Sequence, residues 1–340
     1  MLRDEEIIEE LKIRWREVDD TQPRKFDRLS GGMNNHLYQV TNTENTRYLL
    51  KIYVVDETDR LSREFKACSY LWLHNFPVPK PIFKNDIKNY AIYTFAEGGP
   101  KKAQMVTKDD IDKMVDFLTA LENCRPDYYF FDKSASSFTR LSDYVNYVEK
   151  RLDTLKTSLI NDAIDDRVDE FLKRTKLITF IEDEKRKICS SIYSDEWNRE
   201  LNIDQQVLSP LDFGPHNALF AADGNVTFID FEKFGWDDPT HVVVSFVNHI
   251  QTIGLRYEYK QYFLKKYFEK SSYSGLVKER LPKIIQIDRL GWIAFLANTL
   301  TPDRLRHYLD AQPQLGKDEY VERQLYEIEI MLGELAKKLD

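Results

Sequence analysis

The chain has 340 residues, of which 42% are hydrophobic, and its 49 lysines and arginines face 57 aspartates and glutamates, for a formal net charge of −8. This is the composition of an ordered globular protein that can bury a large core in one or two domains. The acidic balance argues against a general nucleic-acid-binding protein, which would present a basic face. No stretch approaches the roughly 18 apolar residues of a membrane span.

Cysteine usage and the first segment bear on location. The three cysteines lie far apart without a C-x-x-C pair, and the sequence begins with a charged segment that has no signal-peptide core. These features predict a protein of the reducing cytoplasm and give no zinc site.

The first hundred residues alternate between helical and strand-like patterns. Apolar residues spaced by three and four predict helices over 5–17 and 58–75. The prolines of PVPKPIF predict extended backbone. Runs rich in β-branched and aromatic residues, separated by turn-rich segments, predict an antiparallel meander and a further strand. These runs are 26–30, 37–41, 48–55 and 89–95.

From residue 108 onward the pattern is mostly helical, with a strand-like exception at 207–231. No internal repeat and no low-complexity linker interrupts it. We therefore predict an α+β protein of two lobes. A small antiparallel-sheet lobe over 1–97 would carry a glycine-containing phosphate loop, a lysine strand and a glutamate helix. A larger helical lobe over 98–340 would carry a catalytic loop, a metal site and an acceptor pocket.

The densest chemical signal lies in the strand-like exception. Asp212 and Asn217 have the D-x-x-x-x-N spacing of a kinase catalytic loop, and Asp230 follows an apolar run. Phosphoryl transfer needs one carboxylate to orient the attacking hydroxyl, and an amide and a second carboxylate to hold Mg²⁺. Oxygen ligands of this type suit Mg²⁺. The spacing predicts Asp212 as the catalytic residue and Asn217 and Asp230 as the metal ligands.

A second assignment of the kinase motifs to this segment has to be excluded. Residues 212–214 spell D-F-G, the metal-binding triplet of protein kinases, which requires an upstream aspartate with an asparagine five residues later. The nearest upstream aspartates, Asp195 and Asp204, are not followed by asparagine at that distance. The triplet at 212–214 is therefore coincidental, and residues 230–232 are its functional counterpart.

The other parts of a nucleotide site come earlier, in the expected order. Gly31 and Gly32 lie in a strand–turn–strand context, where small residues let backbone amides approach phosphate. Lys51 is a single lysine in an apolar strand and could reach the phosphates, and Glu64 in the following helix is the carboxylate to pair with it. The strand over 92–98 leads into a hinge whose backbone would meet adenine.

Six motifs appear together in this order: S-G-G-x-x-N, L-L-K-I, R-x-x-x-E, a hinge that ends in E-G-G, L-D-F-G-P-H-N and F-I-D-F-E-K-F-G-W-D-D-P. This set resembles the aminoglycoside phosphotransferase and choline kinase superfamily over roughly residues 26–245, most strongly over 207–240. The resemblance implies a bilobal protein-kinase-like fold with ATP and Mg²⁺ as cofactors. It also implies nucleotide contacts from the glycine loop, the lysine and the hinge. The residues in question are Gly31, Gly32, Asn34, Lys51, Glu64, Thr94 and Ala96, with Tyr93 at the gatekeeper position.

The catalytic loop departs from the pattern of that superfamily. The loop usually begins His-Gly-Asp, whereas this chain has Pro210 and Leu211 before Asp212. The missing histidine normally supports the loop, and we expect Pro210 to stiffen it instead. We interpret His216 as a structural histidine rather than a catalytic one. Asp238 is expected to cap the helix that follows it.

The sequence thus predicts an ATP-dependent kinase that phosphorylates a hydroxyl group of a small molecule, whether a sugar, an amino alcohol or an aminoglycoside-like acceptor. A protein substrate is disfavoured, since no basic activation segment follows Asp230. The alternatives are a non-catalytic pseudokinase that binds nucleotide, and a helical regulatory protein without a nucleotide site. The retained lysine, aspartates and asparagine argue against the pseudokinase, and thermal-shift measurements with MgATP separate the protein without a nucleotide site.

Overall fold

The computed structural model describes residues 2–29, 35–161, 164–192, 194–311 and 316–335. The chain divides into two compact units. The first, called here the sheet unit, contains Met1–Lys101 and Pro210–Phe234, and the second, the helical unit, contains Lys102–Ser209 and Gly235–Asp340. The lobe bounds 1–97 and 98–340 stay a prediction.

The described residues form nine strands and twelve α-helices. The strands are β1 (Pro23–Arg28), β2 (His36–Asn42), β3 (Arg47–Ile52), β4 (Pro81–Asn85), β5 (Tyr90–Thr94), β6 (Val207–Ser209), β7 (Ala218–Phe220), β8 (Val226–Phe228) and β9 (Gly235–Asp237). The helices are α1 (Leu2–Arg14), α2 (Arg60–Leu73), α3 (Lys108–Glu122), α4 (Leu141–Asn161), α5 (Asp166–Thr175), α6 (Leu177–Ser190), α7 (Ser194–Trp197), α8 (Pro239–Val247), α9 (Tyr257–Lys270), α10 (Ser274–Thr299), α11 (Pro302–Ala311) and α12 (Lys317–Leu335).

The sheet unit is built on a five-stranded antiparallel sheet in the order β1-β2-β3-β5-β4. Alternate residues of its strands, among them Val40, Leu50 and Ile92, are buried against the apolar stripe of α1. This is the period-two pattern expected of strands whose alternate residues lie on the same face of a sheet. Trp15, just after α1, meets the ring of Tyr48 edge-on at 5.5 Å.

The predicted elements of this unit are observed with shifted ends. The predicted helix over 5–17 is α1 followed by a short 3₁₀ turn, Trp15–Glu17, and the predicted strand over 48–55 ends at Ile52. The proline-rich extended segment contributes β4, at the edge of the sheet, where a strand tolerates proline because one side of its backbone is unpaired.

The segment Pro210–Phe234 adds the β7–β8 hairpin to the sheet unit. Its attachment is through backbone: Phe228 N donates to Pro77 O at 2.8 Å, and Phe220 N donates to Gly99 O at 3.0 Å. Gly98 has φ +99°, and a Cβ built there would lie 2.5 Å from Phe220 O. Only glycine permits that approach.

The helical unit is centred on α10, which packs against α4, α8 and α12, while α3 packs on α9. Every residue of α8 is buried, including Thr240, His241 and Ser245, and Phe246 stacks on Phe263 at 3.9 Å. The short strands β6 and β9 pair antiparallel. Together the two units confirm the predicted α+β class, with a small antiparallel sheet and a larger, mostly helical part.

A buried ion pair fixes the start of α8. Asp238 caps this helix as predicted, since its Oδ1 accepts a hydrogen bond from Thr240 N at 2.7 Å. Its Oδ2 accepts from Arg280 Nε at 3.0 Å, and both side chains are almost completely buried. Burial raises the pKa of Asp238 despite the opposing influence of Arg280, so the charged carboxylate depends on its partner.

Among the residues that the structure describes, none of the helices combines the length and apolar character that crossing a membrane requires.

Replacing Arg280 with methionine should lower the free energy of unfolding by about 3–5 kcal/mol, because it leaves a buried carboxylate without its cation. Arg186→Met, at a side chain that is 75% exposed, is the matched control and should change it by less than about 0.5 kcal/mol. Urea titration followed by circular dichroism measures both. Equal effects of the two substitutions would contradict the role given to the Arg280 pair.

Candidate active site

Lys51 is the centre of the candidate site. It lies on β3 between two buried apolar residues and is only 6% exposed. Its Nζ lies 2.7 Å from Glu64 Oε2 and 2.7 Å from Asp230 Oδ1. Burial disfavours the ammonium charge, but Asp230 and Glu64 more than offset that effect and raise the pKa of Lys51. The structure thus brings together three residues that the sequence singled out.

Glu64 reaches this position because it occupies the buried stripe of α2. The other buried residues of that helix are apolar apart from Cys68, and they recur at helical spacing. Glu64 also accepts a hydrogen bond from the Tyr53 hydroxyl at 2.9 Å, and that hydroxyl lies 2.8 Å from the hydroxyl of Tyr93, the predicted gatekeeper. Burial, opposed by Lys51, raises the pKa of Glu64 to about 6.

A backbone hydrogen bond links Asn217 to the residue before Asp230, because Ile229 N donates to Asn217 O at 3.0 Å. The side-chain nitrogen of Asn217, Nδ2, donates to the backbone carbonyl of Asp212 at 2.9 Å. This bond does not use the Asn217 Oδ1 atom, which is the atom that a cation would bind. Asp230 has φ +68°, a left-handed conformation that is uncommon for residues other than glycine and concentrates at functional sites.

Asp212 is held from two sides. Its Oδ1 lies 2.9 Å from His216 Nε2, and its Oδ2 lies 3.4 Å from Lys233 Nζ. The turn before it is tight: Asp212 N donates to Pro210 O at 2.8 Å across Leu211, whose φ is +62°. The side chain of Asp212 is 27% exposed, so a ligand can reach it.

A second acidic residue, Glu232, was not among the predicted site residues. It accepts a hydrogen bond from Asn35 Nδ2 at 2.8 Å and forms an ion pair with Arg60. Both partners and Glu232 itself lie within motifs that the sequence analysis quoted, but motif spacing does not show which side chains meet. The carboxylate oxygens of Glu64, Asp230 and Glu232 lie within 4.8 Å of one another.

The donor set fits a hard divalent cation. Clustered carboxylates such as those of Glu64, Asp230 and Glu232 are among the oxygen ligands that Mg²⁺ prefers. The cations Lys51 and Arg60 offset part of the charge of these three carboxylates.

The predicted hinge residues lie at and just after the end of β5. Thr94 is the last residue of that strand, and its amide donates to Lys80 O at 2.9 Å. Ala96 follows in the connecting segment, and the Arg47 guanidinium stacks 4.9 Å from the Phe95 ring. The structure does not bring Thr94 or Ala96 into contact with the Lys51 cluster. Gly31, Gly32 and Asn34 lie outside the described residues.

Comparison with known proteins identifies the class. The sequence model of the phosphotransferase enzyme family matches residues 25–276, so the chain belongs to that family. A comparison with curated proteins found no match.

Solved structures of small-molecule kinases share the fold. Spectinomycin phosphotransferase APH(9)-Ia in complex with ADP and spectinomycin is 16% identical with a TM-score of 0.66, covering 96% of this chain and 97% of that one. The amicoumacin kinase hAmiN in complex with AMP-PNP, Ca²⁺ and Ami is 16% identical with a TM-score of 0.59, covering 96% and 94%. Choline kinase LicA from Streptococcus pneumoniae is 14% identical with a TM-score of 0.59, covering 98% and 100%. These similarities confirm the predicted kinase-like fold, and the family match over residues 25–276 confirms the predicted superfamily.

The positive φ of Leu211 predicts that glycine is more stabilising than alanine at this position, the reverse of their order in a helix. With φ at +62°, a Cβ is strained there, so Leu211→Gly should leave the protein more stable than Leu211→Ala by about 1 kcal/mol. At the exposed helical control Arg186, the alanine variant should be the more stable by about 1 kcal/mol. Thermal unfolding of the four variants tests the sign. An alanine variant more stable than glycine at both positions would exclude strain at Leu211.

The raised pKa of Glu64 predicts how stability changes with pH. Since the folded-state pKa of about 6 lies above the ordinary 4.5, protonated Glu64 favours folding. Its contribution is complete below pH 4.5 and is lost as the pH rises through about 6. Between pH 4.5 and 7, wild type should lose about 2 kcal/mol relative to Glu64→Gln, whose amide does not titrate. Urea titrations across this range measure the difference. A change of opposite sign would mean that Lys51 lowers the pKa of Glu64.

Proposed function

We propose that this protein is an ATP-dependent kinase that transfers the γ-phosphate to a hydroxyl group of a small molecule in the cytoplasm. Membership of the phosphotransferase enzyme family supports the transfer chemistry. The observation that carries the proposal is the buried Lys51 ammonium, held by Glu64 and Asp230 at 2.7 Å each, in the same unit as Asp212.

On the donor side, Lys51 would hold the phosphates of ATP while Glu64 fixes the lysine in place. Asn217 and Asp230 would hold Mg²⁺, which neutralises phosphate charge when bound. Further nucleotide contacts are assigned to the loop residues Gly31, Gly32 and Asn34 and to the hinge backbone of Thr94 and Ala96. The nucleotides in the complexes of two structural neighbours support a nucleotide site in this fold.

On the acceptor side, Asp212 would orient the attacking hydroxyl. The hydroxyl oxygen forms the new bond to the γ-phosphorus, the bond from that phosphorus to the bridging oxygen breaks, and ADP leaves with the electron pair. The hydroxyl proton passes to the Asp212 carboxylate. Holding the hydroxyl in line would contribute to the rate together with electrostatic stabilisation, since the reaction requires little covalent chemistry from the protein.

The acceptor class rests on the neighbours and on the sequence. Spectinomycin, amicoumacin and choline are named for the structural neighbours, which supports a small polar acceptor with a hydroxyl group. We therefore assign the acceptor to sugars, amino alcohols or aminoglycoside-like molecules.

Asp212→Asn should lower ADP release by about 1,000-fold or more, because the amide cannot take up the hydroxyl proton. It should leave stabilisation by MgATP intact, whereas Asp230→Asn should remove the Mg²⁺-dependent part of that stabilisation. Asp223→Asn, on the exposed β7–β8 turn, is the matched control and should behave like wild type. ADP release is followed with spectinomycin, choline, ethanolamine and glucose, and stabilisation by thermal shift.

Two outcomes would contradict the proposal in different ways. Stabilisation by MgATP without turnover above the Asp212→Asn background on any acceptor would indicate a pseudokinase. No stabilisation at millimolar MgATP would indicate a protein without a nucleotide site.

A further inference from the structure

Lys233 lies in a turn that fixes its backbone. It falls between two buried phenylalanines, Phe231 and Phe234, and Phe234 N donates to Phe231 O at 3.0 Å. Arg63, on α2, donates to Phe234 O at 2.8 Å. Because both aromatic neighbours are buried and the turn is tied to α2, the position from which the Lys233 side chain extends is well defined.

That side chain reaches the proposed catalytic carboxylate. Lys233 Nζ lies 3.4 Å from Asp212 Oδ2, while His216 Nε2 lies 2.9 Å from Asp212 Oδ1. Each carboxylate oxygen therefore has a nitrogen beside it. The Lys233 side chain is 35% exposed, so this contact is open to an incoming ligand.

The ammonium group stays charged in this position. Burial lowers the pKa of Lys233, but the carboxylates of Asp212, Glu232 and Asp230 outweigh that effect, and the pKa is raised.

The two other cations of the cluster are committed to different carboxylates. Lys51 contacts Glu64 and Asp230 at 2.7 Å, and Arg60 contacts Glu232. The 3.4 Å contact of Lys233 with Asp212 is longer than either contact of Lys51. It is accordingly the one that a hydroxyl group arriving at Asp212 can replace at least cost.

We propose that Lys233 is a catalytic residue of phosphoryl transfer, which holds Asp212 Oδ2 until the acceptor hydroxyl replaces it and then donates to the oxygens of the γ-phosphoryl group. The lysine makes and breaks no covalent bond. The acceptor proton goes to Asp212 and the electron pair leaves with ADP, as in the proposed reaction on which this inference rests. The released ammonium group stabilises the negative charge of the group in transfer, the purpose that fixed cations serve in such reactions.

Lys233→Met should lower kcat about 100-fold, the usual effect of removing one charge-stabilising donor. The MgATP dissociation constant should stay within about threefold of the wild-type value, since the interaction is made only in the transition state. The thermal midpoint should stay at the wild-type value. Lys233→Arg, which keeps the charge, should recover kcat to within about tenfold of wild type. Lys25→Met, at a lysine on β1 with a 64% exposed side chain, is the matched control.

The measurements are ADP release with spectinomycin, choline, ethanolamine or glucose, whichever gives wild-type turnover, and nucleotide binding by thermal shift. A kcat for Lys233→Met within threefold of the Lys25→Met control would overturn the inference, and so would an arginine variant as slow as the methionine variant. Parallel losses of kcat, MgATP affinity and thermal midpoint would assign Lys233 a structural role instead. Absence of wild-type turnover with every acceptor is a different result, because it removes the proposed function itself.

Discussion

The sheet unit depends on the burial of one ammonium group. Removing a lysine from water is costly unless carboxylates surround it, and Lys51 is 6% exposed with two of them at 2.7 Å. Those carboxylates come from α2 and from the residue pair that follows β8, so the pairing fixes strand, helix and hairpin segment against one another. Removing Lys51 would leave two acidic groups facing each other in a poorly solvated place. The same arrangement that stabilises the unit therefore leaves a fixed cation where a phosphate could bind.

A series of paired charges extends from that centre. Each carboxylate of the cluster has a cation beside it; the pairs are Glu64 and Asp230 with Lys51, Glu232 with Arg60, and Asp212 with Lys233. These three cations offset much of the negative charge that the four carboxylates would otherwise present to a polyphosphate. The pairs also differ in length and exposure. The inner pair of Lys51 and Glu64 is short and buried, whereas the contact of Lys233 with Asp212 is long and accessible, so binding of a ligand would disturb the second before the first.

Much of the fold and part of the candidate site could be predicted from the sequence. The strand of Lys51 and the helix of Glu64 follow each other in the chain with clear periodicities, so their contact could be anticipated from the lysine–glutamate pair of kinases. The D-x-x-x-x-N spacing places Asn217 on the same short loop as Asp212. Contacts that depend on long-range geometry could not be anticipated: Asn35 meets Glu232 across 197 positions, and Lys233 meets Asp212 through a turn whose direction is set by two buried phenylalanines. The positive φ of Leu211 has one indication in the sequence, which is that the superfamily has glycine at the position of this leucine.

Leu211 is one of the two residues at which the catalytic loop departs from the pattern of the superfamily. A histidine and a glycine are expected before the catalytic aspartate, and this chain has Pro210 and Leu211 instead. The backbone explains why glycine is expected at the position of Leu211, since φ there is +62°, a conformation that glycine adopts without strain. The histidine position is compensated from the other side, because His216, four residues after Asp212, contacts Asp212 directly at 2.9 Å. Support that normally comes from before the aspartate thus comes from after it in this chain, from His216 within the loop and Lys233 beyond it. A strained backbone that presents Asp212 needs such side-chain contacts to hold the carboxylate in one orientation, which gives both residues a physical reason for their positions.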